Sequence, residues 1–293
     1  VKGWLYTGGF WYWFDNEGVM AVGLTECAGG RYLLNAGDDA SVPYGAMRLG
    51  WVACDDGWRF FNASGAMERC WLLDGSNWYW LDPETGIMAT GATQCGSSSY
   101  CFGASGAMAF GWTYDRGTWY YADSSGELRS GWLYKWGAWY WLDPSTYTMA
   151  IGLHECNGSA YWFNASGAMA TGWVLDGGAW YYATGSGALA SGWLNLNGAW
   201  YWLDPSTHAM ATGVQTIGSC EYIFNSTGKM MANCWSNGDG SWMYHSSSSG
   251  AIDLKGIMTD SGIQLIDDDG NARTGWIESQ GARYYCSANG IIS

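Results

Sequence analysis

The residues with chemistry to offer are aromatic, and they recur. A Trp follows Gly at Trp4, Trp51, Trp112, Trp132, Trp173, Trp193 and Trp276, and follows Cys at Trp71 and Trp235. Most are followed by a short polar turn and an aromatic triplet, such as Trp78-Tyr79-Trp80 or Trp180-Tyr181-Tyr182. Ring faces carry negative quadrupole, so clustered rings suit a quaternary ammonium, whose methyl groups also bury apolar surface. The same faces can stack on sugars. Acid-base or metal chemistry has much less support. His154, His208 and His245 are scattered, with no nucleophile or metal spacing around them. Asp82, Asp143 and Asp204 each precede Pro and read as turn formers. No nucleophile elbow, phosphate loop or metal-ligand cluster occurs, so no catalytic residue, metal or cofactor is expected.

The elements that position these rings must be equally periodic. Trp51, Trp112 and Trp173 are spaced 61 residues apart, and within each interval a related motif returns about every 20 residues. A fixed short period means a stacked array, in which sites form between repeats. Alternating aromatics place rings on both faces of a strand. Asp74-Gly75, Asp176-Gly177 and Asn197-Gly198 supply the positive φ of tight hairpin turns. Asn164-Ala-Ser-Gly167 and Asp123-Ser-Ser-Gly126 then turn the chain into the next unit.

Three hairpin types alternate. The first runs Trp71 to Pro83, Trp132 to Pro144 and Trp193 to Pro205, with a variant at Trp4, Trp11, Tyr12 and Trp13. The second replaces the leading Trp by Leu24, Ala92, Leu153 or Val214. The third regains it at Trp112 and Trp173, with divergent copies at Trp51 with Trp58 and Trp235 with Trp242. The expected fold is all-β: an elongated β-solenoid of stacked hairpins, about three per turn. Residues 1–255 form the array of four sets of three, and 256–293 are degenerate repeats or a cap. An insertion around Asn35 to Tyr44 reads as a surface loop. Met20, Met67, Met88, Met108, Met149, Met169 and Met210 share one turn position and read as packing fillers that floor a pocket.

Composition bounds the partners. The chain has 293 residues, with 45 Gly, 23 Trp, 20 Tyr and only 4 Pro. Gly in register with aromatics is turn punctuation rather than a mark of disorder. A net charge of -14, with 12 Lys plus Arg, argues against nucleic acid and an anionic membrane surface. No run of 18 apolar residues suggests a membrane span. Opening at Val1, the chain reads as a mature fragment or a module of a larger protein. The 9 Cys fit no zinc spacing. Cys95 and Cys101 flank one hairpin turn and bridge its strands if they face each other. Disulfides would suit an extracellular setting, and buried thiols are the alternative.

The pattern Gly-Trp, short turn, Trp-Tyr-Tyr or Trp-Tyr-Trp-Leu, then Gly-x-Met-Ala-Thr-Gly resembles the choline-binding and glucan-binding cell-wall repeats of Gram-positive bacteria and their phages. Gly172-Trp173-Val-Leu-Asp-Gly-Gly-Ala-Trp180-Tyr-Tyr matches closely, and the resemblance runs from residue 3 to about 290. It implies a left-handed solenoid with ligand pockets between consecutive hairpins, each made by two Trp of one hairpin and an aromatic of the next. Carried onto this sequence, Trp51 and Trp58 take Trp78 or Tyr79 as third wall. Trp112 and Trp119 take Trp139 or Tyr140, and Trp173 and Trp180 take Trp200 or Tyr201. Trp71 and Trp78 pair with Tyr100, Trp132 and Trp139 with Tyr161, and Trp193 and Trp200 with Tyr222. Leu24, Ala92, Leu153 and Val214 remove a wall, so pockets after those hairpins are expected to be absent.

The resemblance implies a non-catalytic, extracellular module held to a cell-wall polymer, either choline-substituted teichoic acid or a glucan. A homodimer through terminal hairpins fits the family. Two other readings compete. One is a carbohydrate module for glucans or host glycans, aided by Gln94, Asn157 and Asn195. The other is a structural stalk whose rings are wholly buried.

Overall fold

The computed structural model describes residues 1–231, 234–238, 241–245, 252–259, 262–267, 271–279, 282–288 and 291. Two compact units divide the chain, Val1–Ala150 and Ile151–Ser293. Both are all-β, and no helix occurs among the described residues.

Both units are built from two-stranded antiparallel hairpins with five-residue strands. Gly50–Cys54 pairs with Gly57–Phe61, with Trp51 opposite Phe60 and Ala53 opposite Trp58. Gly111–Asp115 with Thr118–Ala122 and Gly172–Asp176 with Ala179–Ala183 repeat that register. The first strand enters in the left-handed region, which is why Gly precedes the Trp: Gly50, Gly111 and Gly172 have φ of 72°, 70° and 81°. Cys70 takes the same place at φ 62°.

The tight turns differ in detail from the sequence reading. Asp74 and Asp176 are the last residues of their strands, and the turn residues follow them. Asn197-Gly198 has φ of 52° and 85°, the pair of positive values a type I′ turn needs. Trp136-Gly137 makes the same turn with Trp136 at φ 51°, a strained choice for a bulky residue.

In each unit the most deeply buried residues are mostly strand-end residues. Phe61, Leu81, Phe102 and Leu142 in the first unit, and Phe163, Leu203 and Phe224 in the second, are at most 2% exposed. Each is bridged back by a Met six or seven residues on, as in Phe61 with Met67 and Leu203 with Met210. The expected turns close this return. Asn164 Oδ1 accepts from the amides of Ser166 and Ala168, and Asp204 Oδ1 from those of Ser206 and Thr207. The Asn35–Tyr44 insertion is mostly exposed but has a buried anchor. Asn35 is 1% exposed and donates through Nδ2 to the carbonyls of Asp39 and Val42.

Past residue 233 the pattern of separate hairpins is interrupted by a four-stranded sheet, and a separate hairpin returns with Gly275–Ser279 and Ala282–Cys286. The sheet is formed by Cys234–Gly238, Ser241–His245, Ile252–Thr259 and Gly262–Ile266. The third of these strands has eight residues and pairs on both edges. The side chains of Trp235, Trp242 and His245 lie outside the described residues.

Candidate ligand-binding sites

A cage begins with register. Trp51 and Trp58 are diagonal neighbours on one face of their hairpin, because Trp51 opposes Phe60 and Trp58 opposes Ala53. A two-residue turn between five-residue strands therefore produces the seven-residue spacing. The third wall comes from the next hairpin. Tyr79 points opposite to Trp78 and Trp80 along its strand, and its ring lies 4.8 Å from that of Trp51. Trp51, Trp58, Tyr79 and Met88 line a cavity of about 290 Å³, with Ala104 and Ser105 at its rim.

Alternation decides the choice left open between adjacent residues. Tyr79, Tyr140 and Tyr201 form the third walls: Tyr140 is 5.0 Å from Trp112, and Tyr201 is 5.0 Å from Trp173. Trp78 and Trp200 do not line the Trp51 and Trp173 cavities. They face the other way, each beside the leading Trp of its own hairpin. Trp71–Trp78, Trp132–Trp139 and Trp193–Trp200 all stand at 6.1 Å and near right angles. Tyr100 closes on Trp71 and Tyr222 on Trp193, each at 4.8 Å. Trp112 and Trp119 sit in the register of Trp51 and Trp58. Trp173 and Trp180 meet at 6.4 Å and 87°, and with Tyr201 and Met210 they line a cavity of about 340 Å³. Tyr161, the expected partner of Trp132 and Trp139, belongs to the second unit.

One cage was missed among the site residues. Trp4, Trp11, Tyr32 and Met47 line a cavity of about 280 Å³, with Trp4 to Tyr32 at 4.8 Å. The same seven-residue spacing between Trp4 and Trp11 signalled it, although the aromatic triplet there is a variant.

Burial separates these rings from the core. Trp11, Trp58, Trp78, Trp119, Trp139, Trp180 and Trp200 are 41% to 48% exposed, whereas Trp80 and Trp141 are buried. The outer cage wall is thus half in water, and the apolar interior is supplied by the strand-end Phe and Leu. Each floor is tied to its wall through the backbone. Met88 donates its amide to the Trp58 carbonyl, Met149 to Trp119, and Met210 to Trp180, at 2.7–2.8 Å.

Asp82 and Asp204 are turn formers. Asp204 is held low, at about 2, first by the Ser206 hydroxyl and then by the Thr207 and Ser206 amides. Hydrogen bonds from the Thr85 amide and hydroxyl lower Asp82 in the same way. The Nδ1 of His208 lies 3.2 Å from the Ala190 carbonyl. No cluster of three potential metal ligands occurs among the described residues.

The proposed Cys95–Cys101 bridge does not form. Register places Cys95 opposite Ser98 and Cys101 opposite Ala92, and both thiols are free and buried. Burial raises them to about 12 and about 11.

Residues 150–193 match the family described as choline-binding repeat. Residues 2–20, 71–88, 111–128, 191–206 and 274–292 match the cell wall binding repeat. Among solved structures, choline binding protein F of Streptococcus pneumoniae is similar at 26% identity and a TM-score of 0.50, covering 79% of this chain and 92% of that one. CbpJ of the same species has 26% identity and a TM-score of 0.49, over 92% of this chain and 100% of that one. A comparison with curated protein sequences gives no match. At the matched residues the chain carries choline-binding and cell wall binding repeats.

Proposed function

We propose that this chain is an extracellular, non-catalytic module that holds its bearer to a choline-substituted cell-wall polymer through many weak cages. The observation that carries this reading is the recurrence of two orthogonal Trp rings, a Tyr 4.8–5.0 Å from the first, and a Met floor. Such a cage suits a trimethylammonium group, which offers both charge and methyl surface. Three rings at roughly 0.5–1 kcal/mol each, plus methyl burial, give about 4 kcal/mol and so about millimolar affinity. Several cages engaging one polymer gain about 10²–10⁴ in avidity.

Hairpins led by Leu24, Ala92, Leu153 and Val214 add no cage, which leaves two for every three hairpins. Exposed pairs such as Tyr114–Trp119 and Tyr134–Trp139, at 5.2 Å and 5.1 Å, favour glycan stacking as a second reading.

Titrating choline chloride while following tryptophan fluorescence tests the proposal, with tetramethylammonium and a soluble glucan alongside. A saturable millimolar response shared by both cations is expected. No response to either cation refutes it, and a response to glucan alone selects the second reading.

A further inference from the structure

Two equivalent cages carry opposite charges. Trp173, Trp180, Tyr201 and Met210 lie 122 residues, two full periods, after Trp51, Trp58, Tyr79 and Met88. The rim residues Ser226 and Thr227 correspond in the same way to Ala104 and Ser105. Rings and floor are conserved between the two, so charged neighbours are the main difference.

At the first cage, Asp74 accepts a hydrogen bond from Trp51 Nε1 at 2.9 Å, which sets a carboxylate against the cage wall. The equivalent position at the second cage is Leu196, with no charge to offer. The rim turn changes in the opposite sense. It reads Asn-x-Ser-Gly-Ala-Met through Ala66 and Ala168, and Gly103-Ala-Ser-Gly-Ala-Met through Ala107, but Asn225-Ser-Thr-Gly-Lys229-Met in the second cage. Lys229 lines that cavity, which at about 340 Å³ is larger than the 290 Å³ of its equivalent. It is exposed and makes no ion pair among the described residues. Its backbone is fixed by an amide hydrogen bond to Asn225 Oδ1. The Trp4 cage has neither charge, since Cys27 stands where Asp74 does.

A lysine beside an aromatic cage repels a bare quaternary ammonium. It attracts a ligand that carries an anion a few bonds from that ammonium. We propose that the cage of Trp173, Trp180 and Tyr201 selects a zwitterion, a quaternary ammonium bearing a phosphate, while the Trp51 cage prefers the bare cation. This rests on the cage reading above and assigns the ligand form that each cage takes. One unit charge at contact distance in a water-like setting changes affinity about fivefold.

The test uses the full chain with ¹⁵N-labelled indoles, the signals of Trp58 and Trp180 being assigned by Trp58→Phe and Trp180→Phe. Choline and phosphocholine are titrated separately at low salt. At Trp180, phosphocholine is expected to bind about fivefold tighter than choline, and at Trp58 the order should reverse. Lys229→Ala, which installs the residue of the sister turns, should abolish the preference at Trp180 and leave Trp58 unchanged. Raising the salt should shrink the preference. Equal preference at both cages, or a preference that survives Lys229→Ala, overturns this assignment while the cages stand. Signals that neither ligand moves overturn the cage reading itself.

Discussion

Trp58→Ala set against Phe61→Ala separates a binding ring from a core ring three residues away. Trp58 is 48% exposed and Phe61 is fully buried. Full burial of a large apolar side chain stabilises by about 1.5–3 kcal/mol, so a half-exposed ring contributes about half of that, about 1–1.5 kcal/mol. Phe61→Ala also leaves a cavity under the Met67 bridge and should cost about 3–5 kcal/mol. The backbone hydrogen bond from Met88 to the Trp58 carbonyl survives either change. For binding the order reverses. Losing the Trp58 face removes a cation–π contact of about 0.5–1 kcal/mol and a comparable share of methyl burial, weakening that one cage about tenfold. Urea unfolding midpoints measure the first effect. Equilibrium dialysis with labelled choline at fixed millimolar concentration measures the second, as one site lost. If Trp58→Ala destabilises as much as Phe61→Ala and keeps its full choline stoichiometry, the outer rings are core and the cages are not sites.

Three further outcomes are expected. At Gly86, at φ 70°, a Cβ would lie 2.7 Å from Met67 Sδ, so Gly86→Ala should cost about 2–4 kcal/mol alone and about 1–2 kcal/mol with Met67→Leu; additive urea midpoints would contradict this. Asp204 is depressed to about 2, below its unfolded value near 3.9, so its contribution is present above about pH 4 and lost as pH falls toward 2. Asp204→Asn should flatten acid unfolding across that window, followed by tryptophan fluorescence, and an unchanged acid profile would contradict it. In native protein, exposed Cys70 and Cys220 should react with a disulfide reagent first, and buried Cys95 and Cys101, held near 12 and 11, only on unfolding.

The repeat made most of the fold legible, because one register sets every hairpin. Trp51 and Trp58 belong to one face wherever a two-residue turn joins five-residue strands. The third wall was ambiguous for a local reason. Trp78 and Tyr79 are adjacent and equally aromatic, and only the face each takes in the folded strand separates them. The Cys95–Cys101 pairing failed on register, since a separation of six cannot place both residues opposite each other across that turn. The joining of Cys234–Gly238, Ser241–His245, Ile252–Thr259 and Gly262–Ile266 into a four-stranded sheet had a weak signal, because the Gly-Trp entry marking separate units is lost there and returns only at Gly275-Trp276. The charges at Asp74 and Lys229 were readable as letters, but their bearing on a cage depended on knowing which turn meets which ring.

The chain also serves as its own mutational series. Where a hairpin carries an outer Trp, the residue that donates its amide to that Trp carbonyl is Met, at Met47, Met88, Met108, Met149, Met210 and Met230. Where the ring is replaced by Ser99 or Ala160, the donor is Leu128 or Leu189, and among the described residues only Arg31 keeps a Met, Met67. Flexible sulfur therefore goes with a wall that can accept a ligand, and branched Leu with a wall that cannot. The exchange carries into the next turn. Gly65, Gly106, Gly126 and Gly228 abut Met47, Met88, Met108 and Met210, whereas Tyr147 and His208 hold the corresponding turn position, at φ 62° and 60°, in the units of Leu128 and Leu189. Three positions change together: the wall, the floor and the turn above the floor. A stalk needing only buried rings gives no reason for an outer Trp to travel with a Met floor. A binding array does, because the floor has to yield to a ligand only where there is a cage to fill.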